Sequence, residues 1–128
     1  MEEVKIPIFV ESRYKVNRKR IVSALSNLLK KQGIKGPVEV SVAVVGNRKM
    51  RSLSQKYRGE DKTRDILSFS LIEGEPTNLS QDILRLGDVV ISYPEVIKQA
   101  AEDEMLVDDK IDELLEHGLS HLLGISHE

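Results

Sequence analysis

The chain has 128 residues, enough for one domain that buries roughly two-thirds of its unfolded surface in a single core. It contains no cysteine, which excludes disulfides and thiolate metal ligands. The net charge of −2 hides an asymmetry: residues 1–64 carry 16 Lys and Arg against 6 Asp and Glu, whereas residues 65–128 carry 3 against 15. Opposite halves of this kind either neutralise each other inside one compact domain or set a basic face for a polyanion beside an acidic, cation-attracting one. Neither a signal-like apolar start nor a run of 18 apolar residues occurs, so a cytoplasmic protein with no membrane partner is expected.

Val4, Ile6, Ile8 and Val10 alternate with other residues, the period of a half-buried strand, and Pro7 places that strand at a sheet edge. Asn17 offers an N-cap to a helix with Ile21, Ala24, Leu25, Leu28 and Leu29 on one face and Gly33 beyond its end. Arg18, Lys19 and Arg20 put cations in its first turn, against the helix dipole, an arrangement that suits either solvated surface or a bound anion. VEVSVAVV at 38–45 is β-branched and nearly uncharged, and is expected at the centre of the sheet.

Asn47 is expected to cap a second helix with Met50, Leu53 and Tyr57 inward, ending before Gly59. Arg48, Lys49, Arg51, Lys56, Arg58, Lys62 and Arg64 make this region the densest basic patch. ILSFSLI at 66–72 reads as a strand, residues 73–84 as a long polar connection, and LGDVVIS at 86–92 as a buried strand. Ser92-Tyr93-Pro94-Glu95 is a capping box that starts a third helix. Asp108 and Asp109 are expected to cap the last. The order β-α-β-α-β-β-α-α indicates an α+β domain spanning 1–128, a mixed sheet of about four strands with packed helices.

All three histidines lie in the final stretch ELLEHGLSHLLGISHE. His117 and His121 are four apart, so on a helix their Cβ atoms sit about 5–6 Å from each other on one face. Ile111, Leu114, Leu115, Leu119 and Leu122 form the apolar stripe of that helix, which puts both histidines on its flank. Gly124 can take the left-handed conformation that ends the helix and brings His127 back as a third donor. Three imidazoles hold Zn2+ with nitrogens at roughly 2.0–2.1 Å and leave a coordination position for water, the arrangement of a catalytic site. Surface decoration is the alternative for a histidine pair of this spacing.

HGLSHLLGISH resembles the signature H-G-x-L-H-L-x-G-Y-D-H of the YbeY endoribonuclease family. NRKMRSLSQKYRGEDKTRDILSFS is similar to the family's segment that leads through Y-R-G-K-D-K-P-T-D-V-L-S-F-P, and LGDVVIS resembles its L-G-D-I-V-I-S. The resemblance covers roughly residues 38–127. It implies a zincin-like fold with the metal site on the C-terminal helix and the turn after it. His117, His121 and His127 match the zinc ligands, and Arg58 matches an arginine important for activity. It also implies cleavage of single-stranded RNA, maturation of the 3′ end of small-subunit ribosomal RNA, and ribosome quality control. The ribosome is then a partner, and a ribosome-assembly GTPase a further candidate. Ser70, Arg64, Ser120, Ile125 and Ser126 depart from the family pattern, and Ser126 in place of aspartate removes a carboxylate that would support a ligand. His127 stands one residue before Glu128, where a ligand is expected to fray.

On this reading Arg58 clamps a nonbridging phosphate oxygen, and Arg48, Lys49, Lys56, Lys62 and Arg64 gather the RNA backbone. Asp65 and Asp88 are either supporting carboxylates or ordinary strand-end residues. Two other functions compete: a ribosome-associated factor whose zinc only braces the fold, and a metallopeptidase. The peptidase motif of the same spacing carries Glu directly after its first histidine, where this chain has Gly118.

Overall fold

The computed structural model describes residues 4–71 and 83–124. Its elements run β1 (Val4–Lys5), β2 (Ile8–Val10), α1 (Arg18–Lys31), β3 (Val38–Val45), α2 (Asn47–Arg58), β4 (Ile66–Ser70), β5 (Leu84–Ser92), α3 (Tyr93–Glu102) and α4 (Val107–Leu122). β1 and β2 pair in parallel with the same partner, β3, and form one edge interrupted around Pro7. Pro7 has no N–H to give, but its carbonyl still accepts from Val42 N at 2.9 Å. β3 and β5 are parallel, and β4 closes the other edge antiparallel to β5. The sheet is therefore mixed, with four ribbons drawn from five strands.

Alternation along β3 decides which helix goes where. Val38, Val40, Val42 and Val44 point to one face, where Ile21, Leu25 and Leu29 of α1, Val96 of α3 and Ile111, Leu115, Leu119 and Leu122 of α4 complete a large core. Val45 faces the other way, into a small cluster with Met50 of α2, Leu67 and Val90. An extra residue in β5, opposite the Glu39–Val40 step, keeps Leu86 as well as Val89 and Ile91 on the large-core face. No described helix is long and apolar enough to cross a membrane.

The structure alters several expected details. The N-cap of α2 is Gly46, not Asn47. A Cβ at 46 would come within 2.7 Å of Tyr14 Oη, and Asn47 Oδ1 instead accepts from Thr63 Oγ1 at 2.9 Å and Ser92 Oγ at 2.7 Å. Leu106 caps α4, and Asp108 and Asp109 lie in its first turn. Tyr57 does not point inward: it is 55% exposed, beside Phe69. β4 ends at Ser70, Leu71 is exposed, and β5 already begins at Leu84. Most of the polar connection expected at 73–84 lies outside the described residues.

Two of the three cations in the first turn of α1 have partners. Arg18 donates to Ile8 O at 2.7 Å, and Arg20 pairs with Asp109 and Asp112 of α4, which raises its pKa. Arg20 thus ties the basic half of the chain to the acidic half, whereas Arg51 and Arg64 pair with acids of their own half. Lys110, 4% exposed, is held by Asp103 at 2.6 Å and Glu113 at 2.5 Å, and these bonds raise its pKa.

Candidate active site

α4 crosses β4 and β5 with Gly118 at the closest approach. A Cβ there would meet Ile66 Cδ1 at 2.8 Å and Val89 Cγ1 at 3.0 Å, so only glycine lets the helix lie this near the strands. Ser68 Oγ donates to Gly118 O at 3.4 Å across the same contact. Leu114, Leu115, Gly118, Leu119 and Leu122 make up the buried side of the helix, and His117 and His121 lie at its border and are both exposed. The helix stops at Leu122, and Gly124 takes a positive φ of 74° with its N–H bonded to His121 O at 3.1 Å. His127, Ile125 and Ser126 lie outside the described residues.

The opposite wall comes from the end of α2, which packs on the other face of the sheet. Gly59 closes this helix, and Arg58 in its last turn reaches the edge of β4. A cleft of about 530 Å3 there is lined by Arg58, Ser68, Phe69, Ser70, His121 and the end of α4. A smaller hollow of about 240 Å3 beside it adds Arg64, Asp65 and His117 to Arg58, Ser68 and His121. An edge strand makes this possible, since side chains from both faces of the sheet can converge only where no further strand intervenes.

The candidate residues are thereby sorted. Arg58, Arg64, His117 and His121 share the cleft. Arg64 is anchored, its Nε and Nη2 donating to Glu60 Oε1 at 3.2 and 2.8 Å, and this bond lowers the Glu60 pKa. Lys56 and Lys62 are exposed nearby in sequence, and Lys56 Nζ lies 5.2 Å from the centre of the Tyr57 ring. Arg48 and Lys49 are exposed at the far end of α2, about 15 Å along the helix from Arg58.

Asp65 lines the hollow with His117, and its Oδ2 accepts from Gln99 Nε2 of α3 at 3.1 Å. Asp88 sits on the α2 face of the sheet and lines a separate hollow with Tyr57 and Phe69. Gln99 had no sequence motif to mark it, whereas Ser68 lies in the L-S-F stretch and breaks the apolar run of β4 on the side that meets α4. Glu113 and Glu116 add an acidic rim next to His117. Two imidazoles one turn apart at a cleft form a donor pair suited to Zn2+.

A mixed sheet with helices on both faces, and a histidine-bearing helix laid against its antiparallel edge strand, defines an α+β protein with an edge-strand cleft. The family model described as Endoribonuclease YbeY matches residues 9–128. Endoribonuclease YbeY of Thermodesulfovibrio yellowstonii is 38% identical over 128 residues, covering 94% of this chain and 78% of that protein. Endoribonuclease YbeY of Dehalococcoides mccartyi is 36% identical over 111 residues, covering 80% of this chain and 64% of that one. The solution structure of TM1509 from Thermotoga maritima is similar with a TM-score of 0.62 and 26% identity, over 98% of this chain and 75% of that chain. The chain belongs to the endoribonuclease YbeY family.

Proposed function

We propose that this protein is a Zn2+-dependent endoribonuclease that cuts single-stranded RNA, acting in the cytoplasm in maturation of the small-subunit ribosomal RNA 3′ end and in ribosome quality control. The observation that carries the proposal is the convergence of Arg58 and His121 on one cleft, from helices on opposite faces of the sheet. Family membership supports the RNA substrate.

His117 and His121 would hold the ion together with His127. Bound there, Zn2+ supplies a water acidified toward a pKa of about 7 and polarises a phosphoryl oxygen. Arg58 binds and orients the phosphodiester, a task for which a planar guanidinium with paired donors is better suited than an ammonium. Lys56, Lys62 and Arg64 extend the positive path from the cleft, and Arg48 and Lys49 meet RNA further along α2. Attraction of this kind makes affinity strongly salt-dependent. The ribosome, and a ribosome-assembly GTPase, are the partners this reading implies.

The peptidase alternative lacks physical support, because position 118 faces the sheet with no room for a general base. The test is cleavage of single-stranded RNA by the zinc-loaded protein, against chelator-treated protein and His121→Ala. Cleavage that requires both metal and His121 is the expected result. A protein that holds one Zn2+ and cuts nothing would instead have a bracing metal and a ribosome-binding role.

A further inference from the structure

The α2 face of the sheet is only partly covered. Met50 packs on Val45, Leu67 and Val90, while the adjoining cross-strand row, Ser41 of β3, Asp88 of β5 and Phe69 of β4, remains partly exposed. A hollow of about 470 Å3 lies over this row, with Leu53, Tyr57, Phe69 and Leu71 as walls and Ser41 and Asp88 as polar floor. Tyr57 and Phe69 have ring centres 5.0 Å apart and planes inclined at 60°, and Tyr57 is 55% exposed. Ser41 Oγ donates to Asp88 Oδ1 at 2.5 Å, and Asp88 Oδ2 accepts no hydrogen bond among the described residues. Aspartate is disfavoured within strands, and this one contributes nothing to the core.

The hollow adjoins the candidate active cleft. Phe69 lines both, and Arg58 follows Tyr57 directly. A nucleic-acid strand whose phosphate lies at Arg58 can therefore place a neighbouring base against Tyr57 and Phe69, where stacking is open to any base. The carboxylate adds selectivity, because it can only accept. On their Watson–Crick edges, adenine and cytosine each set one amino group beside an acceptor nitrogen, and uracil sets one N–H between two carbonyls. Guanine alone offers two adjacent donors, N1–H and the N2 amino group.

We propose that this hollow is a guanine-binding subsite for a base flanking the scissile phosphodiester, with Tyr57 and Phe69 stacking on the ring and Asp88 accepting from its Watson–Crick edge. Its location beside the scissile bond rests on the endoribonuclease reading, whereas its base preference does not. The test is fluorescence anisotropy with the full chain carrying His121→Ala, which keeps the RNA intact. The probes are labelled nona-uridylates with a single central guanosine, inosine, adenosine or cytidine.

The guanosine probe is expected to bind about tenfold more tightly than the adenosine or cytidine probe, as a two-donor contact implies. Inosine, which lacks the N2 amino group, should fall between. Asp88→Asn, nearly isosteric and still able to accept from Ser41, should abolish the preference, and Tyr57→Leu should weaken all four probes alike. Circular dichroism and thermal unfolding establish that each variant folds. Equal binding of the four probes, or a guanine preference that survives Asp88→Asn, would overturn the proposal. So would unchanged RNA binding by Asp88→Asn with lost co-sedimentation on small ribosomal subunits, which would assign the hollow to a protein partner. If the zinc-loaded wild type cuts no RNA yet the guanine preference and its dependence on Asp88 hold, the endoribonuclease reading fails and the subsite stands. If RNA is cut without any preference, the subsite alone fails.

Discussion

The two faces of the sheet are built to different depths. One carries α1, α3 and α4 over a continuous apolar layer that includes Leu25, Leu29, Val40, Leu115 and Leu119. The other carries α2 alone over Val45, Met50, Leu67 and Val90, and leaves Tyr57, Phe69 and Asp88 accessible. Stability is concentrated on the first face. The candidate ligand-binding groups lie on the second and at the β4 edge between them, where polar and aromatic side chains can stay exposed without opening the main core.

Substitutions on the two faces should separate stability from activity. Leu115→Ala, fully buried in the thick layer, should destabilise by about 2–5 kcal/mol in denaturant unfolding. Arg58→Ala should lower RNA cleavage by about tenfold to a hundredfold, the loss of a hydrogen-bonded charge at the phosphate, and leave the unfolding midpoint nearly unchanged. A large fall in stability instead would make Arg58 a structural residue. Gly118→Val drives a branched side chain into Ile66 and Val89, and should destabilise by about 1–3 kcal/mol. Tyr57→Leu, on the thin face, should stay within about 0.5 kcal/mol of wild type.

The smallest effect concerns pH. Arg64 holds the Glu60 carboxyl below the usual carboxylate range. The pair therefore contributes stability above the unfolded pKa of about 4.3, and this is lost as the pH falls through the lowered folded value. Wild type and Glu60→Gln should differ slightly in thermal midpoint at neutral pH and converge in acid. A difference that is constant throughout the acid range would remove the pair from the account.

Features set by local periodicity were legible from the amino-acid sequence. The stripe from Ile111 to Leu122 implied which side of α4 is buried, and hence that His117 and His121 lie on its flank, as the structure has them. The β-branched, nearly uncharged run at 38–45 and the proline at position 7 implied a central and an edge strand. Asn47, Tyr57 and Asp88 were not legible, because distant residues decide their roles. Asn47 is drawn away from capping by Thr63 and Ser92, Tyr57 finds Phe69 of β4 on the same face of the sheet, and the extra residue in β5 shifts the alternation that a simple count would apply to Asp88. Asp65 could be read as an ordinary turn residue until α3 brought Gln99 to it.

The tight crossing at Gly118 also bears on how such a site can evolve. Converting a histidine pair of this spacing to peptide hydrolysis requires a carboxylate at the next position, a change of one residue on paper. Here the first carbon of that side chain already falls 2.8 Å from Ile66 Cδ1, and the carboxylate beyond it would be trapped between helix and sheet without a partner. A point substitution at this position therefore has to displace the side chains of Ile66, Ser68 and Val89 before it can supply peptidase chemistry. Accommodating it would mean shrinking Ile66 and Ser68 of β4 or Val89 of β5, and each such intermediate would carry a weakened contact between helix and sheet.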